Sequence, residues 1–456
     1  MKIRVFLSVL ACRATKTILR LLGRGGTALP GKLALKICPY LLGELSKNVK
    51  TIIVTGTNGK TTCSRIVEQM LADAGLKYFT NRSGSNLIQG ITGEYAFNSS
   101  LSGKSKCGYA VIECDEAASK QVCLYTDPAV VLVTNVFRDQ LDRFGEVTTT
   151  LENIKTGLRN SPNATLCINA DCSLSVSAVD GLDNPVIYYG VDKEIYKNRV
   201  SEVSDAQYCP YCMSEYEYDY VTYGHLGGFR CPGCGYKRPI PTVSVTDILS
   251  QTADYTEIDL RIGESTMRTR IAIPGGYNIY NAAAAAAAAH ALGLDADTAI
   301  GAVNSFRCGF GRMEKLELNG HTARMILVKN PAGCNQVLNF LTNLDEPALF
   351  VCLLNDRIAD GTDISWLYDV NFERLNVMGD NLSGVICSGI RAWDMALRLK
   401  YAGLDVSKIA VEENYDRLLE LMLSQDKPII IMPTYTAMLD FRGMLCDKFG
   451  IRKFWE

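Results

Sequence analysis

The sequence predicts an α/β protein of two or three domains, and three observations carry that expectation. Short apolar, β-rich runs ("TIIVTG", "YAVIEC", "AVVLVTNV", later "ALFVCLL", "GVICSG" and "PIIIMP") alternate with helical stretches. That alternation is the pattern of parallel sheets flanked by helices. At 456 residues the chain is longer than one ordinary hydrophobic core supports. Its 47% hydrophobic and 21% charged content is that of a soluble globular protein, not a disordered one.

Charge and cysteine usage narrow the class. A net charge of -2 leaves no chain-wide electrostatic footprint for nucleic acid. Seventeen cysteines, an odd number, are mostly scattered singly in apolar runs such as "TLCIN" and "LFVCLL". Reduced, buried thiols in a cytoplasmic protein are therefore expected.

The elements follow in order. Residues 1–48 are a lead-in, in which Lys2 and Arg4 precede the apolar "VFLSVLA" and Arg13, Lys16 and Arg20 recur at helical spacing. The apolar run is short for a secretory signal. The expectation is a basic amphipathic helix that packs on the body or lies on the anionic inner face of the plasma membrane. No run of about 18 apolar residues occurs, so no spanning helix is expected. Residues 49–311 hold the first sheet, and a Tyr-, Gly- and Cys-rich insert at 205–240 interrupts them. The run "NAAAAAAAAHALGLDADTAIGAVNSF" favours helix strongly and suits close packing or simple exposure. After a break near "RCGFGRMEK", residues 312–456 form a C-terminal α/β domain. There are no internal repeats.

The densest chemistry lies in "TIIVTGTNGKTT", a hydrophobic strand, a glycine-rich turn and a helix start. Backbone N–H groups of such a turn and the helix N-terminus bind phosphate oxygens. Lys60 adds charge, and the Thr61 hydroxyl can hold Mg²⁺. Gly56, Thr57, Asn58, Gly59, Lys60, Thr61 and Thr62 are therefore candidate ATP-binding residues. The strict G-x-x-x-x-G-K-[ST] spacing would need glycine where Val54 stands, so this is a shorter variant.

That variant, "GTNGKTT", resembles the Mur ligase superfamily, which includes the folylpolyglutamate synthetases. Further motifs follow in the family's order. "VIECDE" sets Glu113 at a strand end, where these ligases hold a magnesium-binding glutamate. "TNVFRDQLDRFG" looks like their Asn…Asp-His-Leu-Asp motif, with Asn135, Asp139, Leu141 and Asp142 kept and Gln140 in place of the histidine. "GGYNIYNAAAA" matches the segment that would bring Asn278 and Asn281 to the adenine side, with Tyr277 in place of the usual histidine. "GRME" carries Arg312, which the family directs at the ATP phosphates. Taken singly, Glu113 is equally an ordinary strand-end carboxylate, Asp139 and Asp142 a solvated turn face, and Asn281 an N-cap of the alanine-rich helix. Their shared order is what persuades. The resemblance implies that ATP phosphorylates a carboxylate and an amine then attacks the acyl phosphate.

"YCPYC" and "RCPGC" supply Cys209, Cys212, Cys231 and Cys234 at C-x₂-C-x₁₈-C-x₂-C spacing. Two such knuckles bring four thiolates to a tetrahedron, as structural Zn²⁺ requires, with no open position for catalysis. The acidic, tyrosine-rich "MSEYEYDYVTYGHLGGF" argues against a nucleic-acid-binding ribbon. A Mur-type ATPase domain carrying a Cys₄ ribbon resembles the MurT family, the ligase subunit of lipid II isoglutaminyl synthase. That resemblance implies a Mur ligase-type central domain with a parallel-rich sheet, the inserted zinc ribbon, and a Rossmann-like C-terminal domain. It implies amidation of the D-glutamate α-carboxylate of the lipid II stem peptide to D-isoglutamine, within peptidoglycan synthesis. The ammonia comes from glutamine through a separate GatD-type glutaminase subunit in a heterodimer.

The C-terminal domain departs from the amino-acid-adding enzymes in the direction this implies. Where those carry Asp-Tyr-Ala-His-Xaa-Pro, this chain has "LVKNPAGCNQ", with Lys329, Asn330 and Pro331 in a turn. None of His225, His290 and His321 sits near a cysteine in the pattern of a nucleophile and its base, so no glutaminase site of its own is evident. In the family, the second aspartate of "DG-x-D-x-S-W" completes the partner's catalytic set in trans. Here that residue is Asp363, with Asp360 a turn former and Trp366 a packing anchor at or under the interface. From the residues alone, the loop is an Asx-type turn capping a helix that starts near Ser365. Two other readings stand beside the amidation: a ligase that adds a whole amino acid, and a nucleotide-binding, zinc-containing assembly module without activity.

Overall fold

The computed structural model describes residues 2–22, 28–81, 85–138, 147–196, 205–307, 312–343 and 346–451. The strands are β1 (Lys50–Thr55), β2 (Tyr78–Thr80), β3 (Tyr109–Glu113), β4 (Val130–Val133), β5 (Thr165–Asn169), β6 (Val186–Val191), β7 (Glu217–Tyr223), β8 (Leu226–Arg230), β9 (Val243–Gln251), β10 (Thr256–Ile262) and β11 (Ser265–Ile271), followed by β12 (Arg312–Leu318), β13 (His321–Ile326), β14 (Ala348–Leu353), β15 (Leu382–Ser388), β16 (Ile409–Val411) and β17 (Ile429–Pro433).

Two sheets organise the chain. The larger has nine strands in the order β11-β10-β9-β6-β5-β4-β1-β3-β2. β1 pairs in parallel with both β3 and β4, and every residue of β1 after Lys50 is buried. That double burial explains why the run reads as continuously apolar instead of alternating. From β9 onward the sheet turns antiparallel, with β10 against both β9 and β11. The apolar runs had suggested only the parallel part. β10, "TEIDLRI", alternates strictly between buried and half-buried positions and so carries the period-2 pattern of a sheet with one wetter face. The six-stranded sheet, β12-β13-β17-β14-β15-β16, holds the three late apolar runs at its centre, all in parallel.

The alanine-rich helix spans Gly276–Ala291, and Ala282 to Ala289 are all buried. Small side chains let this helix lie close against β5, β6 and the helix Lys60–Asp73. Close packing, not exposure, is thus the outcome of the two anticipated. The helix begins five residues before Asn281, behind Gly275, so Asn281 lies inside the helix and does not cap it.

The lead-in forms the helices Lys2–Leu21, Leu29–Ile37 and Leu41–Ser46. The first buries Val5, Ser8, Val9 and Cys12 against the body. The cysteine insert is a hairpin, β7 with β8, rising between the paired strands β6 and β9. A buried polar network fixes it. Asp171, fully buried after β5, takes Arg238 Nε at 2.6 Å, Tyr280 Oη at 2.5 Å and the Val191 amide at 2.8 Å, and Tyr280 also meets Thr222 Oγ1 at 2.7 Å.

Candidate functional site

The phosphate loop leaves β1 and turns into the helix Lys60–Asp73. Two of its residues must be glycine. Gly56 has φ 114° and packs against Thr134 and Asn135, and Gly59 has φ 90° with Asn281 where a Cβ would stand. The loop is held from the end of β4: the Asn58 amide donates to Asn135 Oδ1 at 3.0 Å, and Thr57 Oγ1 bonds both polar backbone groups of Phe137. The first turn of a helix leaves N–H groups without intrahelical acceptors, so donors point off the loop. Thr61 and Thr62 stand on that turn.

Lys60 is buried. Its Nζ sits 2.7 Å from Glu116 Oε1 and 2.6 Å from the Gly56 carbonyl. Glu116, itself buried, opens the helix after β3, with Asp115 as its N-cap. Glu113 stands half-buried at the end of β3, where Asn81 holds both its backbone groups at 2.9 and 2.7 Å. The carboxylates of Asp115 and Glu116 therefore lie beside the loop's lysine. Burial, and then the neighbouring Glu116, raise Asp115 above its ordinary range, with Lys60 opposing.

A cleft of about 800 Å³ opens between the loop and the C-terminal sheet. Asn58, Gly59 and Thr62 line one side, Tyr277, Asn278 and Asn281 the floor, and Lys329, Asn330 and Gln336 the opposite wall. Asn278 and Asn281 hold each other at 3.0 Å. Gln336 is buried, and its amide has no hydrogen-bond partner at either end. Such a group is costly unless something fills the cleft, so the lining fits a polar ligand. "KNPAG" is more than a turn. Asn330 caps the helix Pro331–Thr342 through the Gly333 amide at 2.8 Å and reaches Asn58 Oδ1 at 3.1 Å, joining the two sheets across the cleft.

The four cysteines come together as their spacing predicted. All four sulfurs lie within 4.8 Å of one another, with Cys209–Cys234 at 3.6 Å and Cys212–Cys231 at 3.3 Å. A tetrahedral ion with about 2.3 Å metal–sulfur bonds needs edges of about 3.8 Å. The donor set and its size both fit zinc.

The two aspartates of "ADGTDISW" serve different structures. Asp360 is buried and accepts from the Thr436 amide at 2.7 Å, Thr436 Oγ1 at 2.5 Å and the Arg357 amide at 3.2 Å. It staples the loop to the start of the last helix, Tyr435–Phe449. Asp363 is exposed and accepts the Ser365 amide at 2.8 Å, heading the 3₁₀ turn Ser365–Asp369. Trp366 packs beside Cys334, Phe372 and Met432 in the domain's own interior.

The structure also corrects and extends the expectations. His225 does lie beside a cysteine, with its Nε2 3.5 Å from Cys172 Sγ. Burial pushes the Cys172 thiol up, but the hydrogen bond and charge of His225, together with Ser175, bring it below its ordinary value. Both side chains are buried, so the pair is closed to a substrate. Glu116 and Gln336 were missed. Glu116 follows "VIEC" within the helix start, where an acidic residue also suits the helix dipole. Gln336 carried no sequence signal. Asp139, Gln140, Leu141 and Asp142 lie outside the described residues, as does the side chain of Arg312.

Comparison with known proteins follows the same division of the chain. Residues 54–230 match the Mur ligase middle domain, and residues 327–438 match the MurT ligase C-terminal domain. The chain is 35% identical to the MurT subunit of lipid II isoglutaminyl synthase (glutamine-hydrolyzing) from Streptococcus pneumoniae, over 99% of both chains. It belongs to the MurT family. The Staphylococcus aureus (strain COL) subunit of the same name is 31% identical over 98% of both chains. Among solved structures, a pseudomurein peptide ligase type C from Methanothermus fervidus aligns with a TM-score of 0.66 at 23% identity, over 88% of this chain and 79% of its own. The Mur ligase fold is thus common to a MurT-family chain and to an archaeal peptide ligase.

Proposed function

We propose that this protein is the ligase subunit of a lipid II isoglutaminyl synthase. It amidates the D-glutamate α-carboxylate of the lipid II stem peptide with ammonia that a GatD-type glutaminase partner releases from glutamine. The observation that carries this is the 35% identity over the full length of a MurT subunit, with the phosphate loop intact. Residues 49–311 bind ATP, the ribbon at 205–240 is a structural insert, and residues 312–456 meet the partner.

The residues divide the chemistry. Gly56 to Thr62 cradle the phosphates, with Lys60 released from Glu116 onto the transferring phosphoryl group. Asn278, Asn281 and the unpartnered amide of Gln336 receive the nucleoside, and Arg312 serves the phosphates. Thr61 and Glu113 would hold Mg²⁺, which would supply charge neutralisation at the phosphates. The carboxylate attacks the γ-phosphorus of ATP and ADP departs; ammonia then attacks the carbonyl carbon of the acyl phosphate, and phosphate leaves with the proton that the amine gives up. Zn²⁺ on Cys209, Cys212, Cys231 and Cys234 keeps the insert folded. Asp363 reaches into the partner's site, and the exposed Ile358, Tyr368, Ile390 and Trp393 of the same domain suit a protein interface.

The test incubates the protein with ATP, Mg²⁺ and lipid II. With ammonium chloride, amidated lipid II and ADP form without the partner, and with glutamine they form only when the glutaminase is present. Amidation without any nitrogen source, or in no combination, overturns the proposal.

A further inference from the structure

The lead-in helices carry two apolar faces, and only one of them is used. On Lys2–Leu21, Val5, Val9 and Cys12 face the body, while Arg13 donates to the Ser99 carbonyl and Lys16 lies 3.5 Å over the Phe97 ring. The opposite face presents Ile3, Phe6, Leu7, Leu10, Ile18 and Leu21, each between 42% and 83% exposed. These recur at three- and four-residue spacing, so they form one stripe along the helix. The helix Leu29–Ile37 packs beside it and adds Leu33 and Ile37 in the same exposed class. A residue larger than glycine at 31 would strike the Gln89 backbone, so this second helix is seated tightly and its outer side is fixed.

Charge says what covers the stripe. The first 43 residues contain eight basic residues and no acidic one, against 47 basic and 49 acidic in the whole chain, so residues 44–456 carry -10. Helical periodicity sets Lys2 and Arg20 along one border of the stripe and Arg4 along the other. An apolar face bordered by cations on long stems is the pattern of a helix lying in the plane of an anionic bilayer. Among the described residues no helix is long and apolar enough to cross a membrane, so the contact is a surface one. We infer that the paired helices Lys2–Leu21 and Leu29–Ile37 dock this protein onto an anionic membrane surface by their exposed apolar face. The biological meaning rests on the proposed function, whose substrate is lipid-linked. The binding itself does not.

Co-sedimentation of the full chain with vesicles tests it without turnover. Binding is expected to vesicles of equal parts phosphatidylcholine and phosphatidylglycerol, and not to phosphatidylcholine alone. The Leu7→Ser/Leu10→Ser variant alters exposed positions only. It should bind on the order of tenfold more weakly at an unchanged melting temperature. A wild-type chain left in the supernatant, or a variant that binds equally, overturns the inference. A dimer in solution that the same variant dissociates, without vesicle binding, overturns it in favour of a second copy. Failed amidation with intact vesicle binding would sink the proposed function and leave this inference standing.

Discussion

Asp360 and Asp363 separate at the scale of the single residue. Asp360 is buried with three donors around it, so Asp360→Ala leaves unpaired donors and a loosened loop. The expected cost is roughly 2–3 kcal/mol, read as a lower denaturant midpoint. Ammonia- and glutamine-driven amidation should then fall together. Asp363 is exposed and bonds one amide, which asparagine can replace. Asp363→Asn should keep stability and ammonia-driven amidation while abolishing the glutamine-driven reaction, and equal loss of both would return the residue to its capping role alone. Glu116 invites a third substitution. It holds Lys60 at 2.7 Å in the buried loop, so Glu116→Gln should raise the KM for ATP more than it lowers kcat. An unchanged KM in steady-state kinetics would reduce the pair to a folding contact.

Among the elements, the 3₁₀ turn Ser365–Asp369 links two chemistries. Arg138 follows Phe137, which braces Thr57 of the phosphate loop. Its guanidinium meets Asp205 at 3.3 Å and Asp369 at 3.2 Å. Arg138 thus ties the insert to the turn that follows Asp363, one residue from the Phe137 brace of the phosphate loop. This part-buried cluster contributes modestly to stability, and under the proposed function it offers a route between the cleft and the partner's site. Arg138→Ala should lower the melting temperature by no more than a few degrees, since a part-buried pair of this kind contributes on the order of 1 kcal/mol. Any stimulation of the proposed glutaminase partner by ATP should then fall. Undiminished stimulation would show that the cluster carries no signal. The ribbon is a different kind of element. Structural zinc contributes folding free energy, on the order of 10 kcal/mol in isolated fingers. Cys231→Ser or exhaustive chelation should strip bound zinc and expose the hairpin β7–β8 to proteolysis near its knuckles. Intact resistance after metal loss would mean that Asp171 and its partners hold the insert unaided.

At the scale of the whole molecule, the two sheets meet across the cleft, where the Asn330 amide donates to Asn58 Oδ1. Much of this was legible in the sequence because its signals are local. Buried parallel strands read as apolar runs, the phosphate loop as a glycine-rich turn before a helix, and the zinc knuckles as two identical spacings. All three depend on residues within a few positions of one another, where backbone geometry and ligand count dictate the outcome. The antiparallel strands β9 to β11, the burial of the alanine helix and the second apolar face of the lead-in depend on what lies opposite, which no local pattern encodes. The same holds for single residues. Cys172 meets His225 across 53 positions, Arg138 meets Asp369 across 231, and Gln336 faces a cleft built by another domain. The sequence by itself determined the buried parallel strands, the phosphate loop and the four-cysteine cluster. Only tertiary structure decided which polar groups share a low-dielectric interior, and the energy of such groups depends on their neighbours in space, not in the chain.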